Sequence, residues 1–270
     1  MKMRSTTLFM LSAAILLCIG LVILARPMLN RIEYAAQAEK AVDTFFQENH
    51  YEKVSENSEA IPVIKRAKEY VQESPYPELL AAMQEYNEQI YSAKQSGLSD
   101  PWCYTAPVLD LSAYGLSEDM VGVLTIPTMD YEEPVYLGAT ADHLSSGAAQ
   151  LSIGSMPIGG INTHCVLAGH RGWNGALHLQ HIELLQVGDP VTLTNLWDVL
   201  EYRVAGIKII KPWQPEELLI QEGRDLLTLI TCHPYGSGGN KDRYVVFCER
   251  IVGDKTTPYL KRGVNQCKKK

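Results

Sequence analysis

Beyond Met120 the chain is cut into short apolar runs rich in β-branched and aromatic residues, each bounded by Gly or Pro: Val121–Ile126, Pro134–Leu137, Cys165–Ala168, Val191–Leu193, Tyr202–Ala205, Leu226–Thr231 and Tyr244–Phe247. Runs this short cannot make helices with a useful apolar face, but they can each cross a sheet once. Seven or eight strands at this spacing predict a β-barrel or sandwich, with short helices at Ala141–Gly147 and Pro215–Gln221. With 270 residues, 46% hydrophobic and 20% charged, the chain has room for one sizeable core and an appendage.

The appendage comes first. From Arg31 to about Gly97 the apolar positions fall at helical spacing, as in Ala41-Val42-x-x-Phe45-Phe46 and Leu79-Leu80-x-x-Met83, which predicts two or three helices. Pro75 and Pro77 place a boundary between them. Ahead of these, Leu8–Ala25 carries no charge and reaches the ~18–20 residues a bilayer-spanning helix needs. A cleaved signal peptide and a buried apolar helix are the competing readings. The run exceeds the usual signal core, and Arg26-Pro27 stands where small residues would mark cleavage, so an uncleaved anchor is favoured. Lys2 and Arg4 place the N-terminus in the cytoplasm and the remainder outside, although Arg26 and Arg31 oppose that bias. The expected organisation is an anchor at 1–30, a helical neck at 31–99, a connector at 100–119, the β-domain at 120–253 and a tail at 254–270.

A net charge of −7 and the lack of a basic cluster interleaved with aromatics argue against a nucleic-acid partner. The six cysteines show neither tight pairing nor a C-x-x-C, and the histidines do not recur at ligand spacing, so no metal and no cofactor is expected.

Cys232 ends the run Leu226–Thr231 and opens into His233-Pro234-Tyr235-Gly236-Ser237-Gly238-Gly239-Asn240. A thiol at a strand end beside a Gly-rich loop can be held rigidly and still reach a substrate. To act as a nucleophile it needs a base or a cation nearby. His233 is adjacent and would point away. His170 lies upstream, closing the run Cys165–Gly169 and opening the turn Arg171-Gly172-Trp173-Asn174-Gly175, so it too is at a strand end. The alternative is a histidine that merely satisfies a local backbone group. Arg243 begins the strand after the Gly-rich loop, and a hairpin would return its guanidinium to the thiol, where it could bind an oxyanion; Arg250 is the decoy.

These motifs resemble the sortases. Thr228-Leu229-Ile230-Thr231-Cys232 followed by Arg243 looks like the family's T-L-x-T-C signature, and Leu167–Gly172 looks like its histidine motif. Ser155–His164 and the lid-like Asp100-Pro101-Trp102 resemble class C, the pilin-polymerising sortases. Three departures are visible: a loop two residues longer between Cys232 and Arg243, His233 in place of a small or hydroxyl residue, and no second membrane helix spelled in 254–270.

The resemblance implies a closed eight-stranded β-barrel and a cell-surface cysteine transpeptidase. Cys232 would attack the Thr-Gly bond of an LPxTG-like sorting signal, His170 would act as general acid and base, and Arg243 would hold the oxyanion or substrate backbone. Thr231 would contact substrate. Asp100 and Trp102 would form a lid, with Asp100 pairing to Arg243 and Trp102 covering Cys232; Cys103 beside it could then approach the nucleophile. The implied partners are a pilin or surface protein with a sorting signal, an amine acceptor (a pilin lysine or a peptidoglycan precursor) and the membrane. A hydrolytic cysteine peptidase using the same residues is the rival reading, and a tethered non-enzymatic β-domain the second.

Overall fold

The computed structural model describes residues 2–54, 63–66, 75–96, 106–212, 214–236 and 242–251. Helix α1 (Lys2–Glu48) runs without a break through Pro27. Its first half is the one stretch, among the described residues, that is long and apolar enough to cross a membrane. Phe9, Leu16, Leu17 and Leu24 are exposed there, as expected of a surface meant for lipid. Further along, Ala38, Val42, Phe45 and Phe46 are buried on one face, a 3- and 4-residue spacing that docks the helix on the β-domain.

The helical reading of 31–99 needs one correction. Strands β1 (Tyr51–Val54) and β2 (Val63–Arg66) follow α1 and pair antiparallel, Tyr51 opposite Arg66 and Val54 opposite Val63. Tyr51 lies flat against Phe45, so a β-favouring segment finds a partner ring on the helix itself. Helix α2 (Pro77–Ser92) starts with Pro at its first position, where the missing N–H costs nothing. Leu79, Met83 and Ile90 anchor it, and polar bonds fix its register. Asn87 Oδ1 accepts from the Met156 N–H at 2.7 Å, and Gln95 just beyond the helix bridges Ile153 and Ile220.

Eight strands follow: β3 (Met120–Ile126), β4 (Tyr131–Tyr136), β5 (Ala148–Gln150), β6 (Thr163–Ala168), β7 (Pro190–Asn195), β8 (Val199–Ile210), β9 (Asp225–His233) and β10 (Asp242–Arg250). They close into a barrel in the order β10-β8-β7-β3-β4-β5-β6-β9. Closure leaves no open sheet edge. The expected short helices are present as α3 (Ala141–Ser146), capped by Thr140, and as a 3-10 turn at Pro215–Leu218.

Two contacts decide where the site falls. β6 and β9 run parallel, Thr163 opposite Asp225 through Ala168 opposite Ile230, so their C-terminal ends meet at one rim. β9 and β10 run antiparallel, with Cys232 opposite Arg243. Both faces of these strands are covered, which is why they read as continuous apolar runs rather than alternating ones. Cys165, Leu167, Leu227, Leu229 and Val246 enter the larger core; Val166, Ile230 and Val245 enter a smaller one on the opposite face.

Candidate active site

That alternation places the three candidate residues. Side chains two apart share a face of a strand. Val166, Ile230 and Val245 occupy the smaller-core face, Ala168 packs with them, and the next positions on that face are His170, Cys232 and Arg243. The ladder extends one step past β6: the Gly169 N–H donates to Ile230 O at 3.1 Å. One face of three neighbouring strand ends therefore carries an imidazole, a thiol and a guanidinium. Directly opposed residues of an antiparallel pair hold their Cβ atoms about 4.5–5.5 Å apart, so Arg243 stands beside Cys232 by register alone. Its Nη1 donates to the Asp242 carbonyl at 3.1 Å.

Thr231 points to the other face. It is buried, and its hydroxyl donates to Gly169 O at 2.7 Å, so it clamps the thiol's strand to the histidine's strand. Cys232 itself is half-buried, whereas Cys165 and Cys248 are buried and burial pushes both thiols well up. Among the described cysteines, Cys232 is the accessible one in the β-domain, and all are free.

His170 is half-buried and stacks on Trp173, ring centres 4.8 Å apart and 18° from parallel. The loop that presents Trp173 is built by sequence. Trp173 and Ala176 exchange backbone hydrogen bonds of 3.0 and 2.8 Å around Asn174-Gly175, both with positive φ, as a type I′ turn requires. Gly175 is needed a second time, because a Cβ there would collide with the Pro27 carbonyl of α1. Burial, and next the charge of His178, pull His170 below the ordinary histidine range, which keeps the imidazole neutral and able to accept a proton near pH 7.

Two further features were not legible as site residues. Arg171 is almost wholly buried, with Nη1 donating to the Cys232 carbonyl at 3.3 Å and to His233 Nδ1 at 2.9 Å, and Nη2 paired with Glu183 at 2.6 Å. It fixes the backbone on which the thiol sits. Its neighbour in sequence to His170 was the available hint. Behind His170 lies His178, buried against Glu133 and Tyr34. Asp100, Trp102 and Cys103, the expected lid, fall outside the described residues, as does Cys267. The Ser155–His164 motif sits at the other end of the barrel, where Gly160 N–H and the Tyr202 hydroxyl bond Asp225 at 2.9 and 3.0 Å. No cluster of His, Cys, Asp and Glu suited to a metal occurs among the described residues.

A closed barrel with a cysteine, a histidine and an arginine on one rim defines the sortase architecture, and the comparisons agree: the family described as Sortase domain matches residues 124–251, and the chain belongs to it. Within that family its structural neighbours include class C sortases. It superposes on Sortase C1 of GBS Pilus Island 1 with a TM-score of 0.64 at 25% identity, over 82% of this chain and 95% of that one. The lid-mutant of Streptococcus agalactiae Sortase C1 gives 0.59 at 30% identity, over 67% and 92%. Sortase A of Bacillus anthracis is 31% identical over 51% of this chain and 62% of its own length. The chain spans less than two thirds of the curated relatives it matches, 62% and 64%.

Proposed function

We propose that this chain is a membrane-anchored cysteine transpeptidase that cleaves a sorting signal of the LPxTG kind at Thr-Gly and joins the threonine to an amine, a pilin lysine above all. The observation that carries the reading is the shared face and shared rim of Cys232, His170 and Arg243. Cys232 Sγ adds to the threonine carbonyl as its proton passes to His170. Arg243 stabilises the oxyanion, the C–N bond breaks, and His170 returns the proton to the leaving amine, which leaves a thioester on Cys232. The incoming amine adds to that thioester, gives its proton through His170, and the thiol departs with a new amide formed. Neutral His170 suits the first half of this cycle, since it must accept before it donates.

The apolar half of α1 supports an N-in anchor, which would confine the enzyme beside substrates that are themselves membrane-tethered and so raise their effective concentration. Asp100-Pro101-Trp102 supports a lid, as does the kinship with a sortase for which a lid mutant exists. A peptidoglycan amine as acceptor would make the enzyme a wall-anchoring sortase, and water as acceptor a peptidase.

Incubation of the full chain in detergent with a sorting peptide and a lysine-bearing acceptor tests the proposal. The expected result is a mass adduct on Cys232 equal to the peptide's N-terminal fragment, followed by amide product, with at least ~10³-fold less product from Cys232→Ala. Hydrolysed peptide alone would establish the peptidase, and no adduct with any sorting peptide would sink the reading.

A further inference from the structure

A cysteine–histidine pair works best when a third group orients the histidine. Here the His170 ring makes no hydrogen bond among the described residues; one side of it carries Trp173, and His178 stands edge to face with it, ring centres 6.0 Å apart at 66°. His178 is 2% exposed, with φ of +43°, a backbone conformation a non-glycine residue adopts only when its surroundings insist. What insists is behind it. Nδ1 lies 3.2 Å from Glu133 Oε2 on β4 and 3.1 Å from the Tyr34 hydroxyl on α1. Burial and the Glu133 charge hold Tyr34 well above the ordinary phenol range, so it stays an O–H donor. With Nδ1–H donating to Glu133, to which the Tyr34 O–H also bonds, Nε2 is left, a buried polar atom with no hydrogen-bond partner among the described residues, in the ring that abuts His170.

An orphaned buried imidazole nitrogen keeps its full desolvation penalty, so its presence in a folded protein calls for an explanation. We propose that His178 is a positioning residue for His170: Glu133 and Tyr34 of the anchor helix lock its ring from behind, and its free nitrogen is the hydrogen-bond group that seats the His170 imidazole during proton transfer. The inference rests on the role given to His170 above. The charged and titratable groups against His178 are Glu133 from β4, Tyr34 from α1 and His170 itself, with Tyr131 acting on Glu133 and Tyr34 from behind. Because the His178 charge is one of the causes that lower His170, removing it should raise the His170 titration midpoint.

The test uses the full chain in detergent with labelled histidine, His170 assigned by its loss in His170→Gln, alongside the pH dependence of Cys232 alkylation read by peptide mass and the kcat and KM of amide formation. His178→Asn should move the His170 midpoint upward and lower kcat about tenfold with KM nearly unchanged. Tyr34→Phe, which removes one hydroxyl, should move both in the same direction by less. The proposal is overturned when either variant keeps the wild-type unfolding midpoint and its His170 titration and alkylation profile superimpose on wild type. A shifted His170 titration in a protein that forms no amide would uphold this inference and refute the transpeptidase reading, so the two fail separately.

Discussion

Strand β6 carries a histidine just inside its start and another just past its end, both on the same face, and the structure treats them oppositely. His164 has both ring nitrogens occupied, Nδ1 3.0 Å from Leu219 O and Nε2 2.6 Å from Thr228 Oγ1, and is fully buried. His170 is half-buried, and its ring makes no hydrogen bond among the described residues. Burial lowers the proton affinity of both, His164 to about 4, so the direction of a shift does not separate scaffold from site. Hydrogen-bond satisfaction does. The rims around them repeat the contrast. At the His164 end, Asp225 takes bonds from Gly160, Tyr202 and Thr163, and Arg224 forks onto Glu249 with two contacts of 3.1 Å. At the His170 end, Arg171 holds the backbone of Cys232 in place, and the His170 ring carries no hydrogen bond among the described residues.

The contrast breaks most visibly at Arg243. Arg243→Ala should lower kcat about 10²–10³-fold, and Arg243→Lys should recover only part, because a point charge lacks the fork that holds an oxyanion and backbone together. Full activity in either variant, measured as amide formation, would remove Arg243 from the working rim.

The sealed rim makes a prediction about stability instead. In the unfolded chain His164 titrates near 6.5, and in the folded chain near 4. Below pH 6.5 the unfolded state binds the proton first, so stability is fully present above that value and drains as pH falls towards 4. The loss is roughly 3 kcal/mol at pH 4. Urea unfolding of His164→Gln beside wild type at pH 7 and pH 4 should show the gap between them closing by about that much. A gap independent of pH would contradict the assignment.

Smallest is the lid. Trp102→Ala or Asp100→Ala should raise the rate of Cys232 labelling several-fold, and an unchanged rate would mean that the open rim has no cover from that motif.

Much of the barrel was legible because its strands announce themselves as short apolar runs between breakers, and seven of the eight matched. β5 did not, since Ala148-Ala149-Gln150 has no β-branched residue and is held as a strand by its neighbours β4 and β6. β1 and β2 were hidden in helix-like composition, and their pairing is tertiary. Cys232, His170 and Arg243 could be picked by chain order at strand ends, while register was needed to put them on one face. Arg171, Glu133 and His178 offered no such signal. A buried charge looks in sequence like a surface one, and Glu133 meets His178 across 45 residues and Tyr34 across the helix–barrel contact.

Helix α1 has one more consequence. It is continuous from its apolar half to the buried contacts at Ala38 and Val42, and it touches the histidine loop at Pro27 and Tyr34. Tyr34 lies about 14 Å along the axis from Ala25 at the helical rise. With the apolar half in a bilayer, the rim that carries Cys232 and His170 would have no leash to swing on: it would sit at a set height near the headgroups and a set compass bearing. Under the proposed function a substrate would have to bring its cleavage site to that level, and the spacer between a sorting signal and its own membrane segment would act as a ruler.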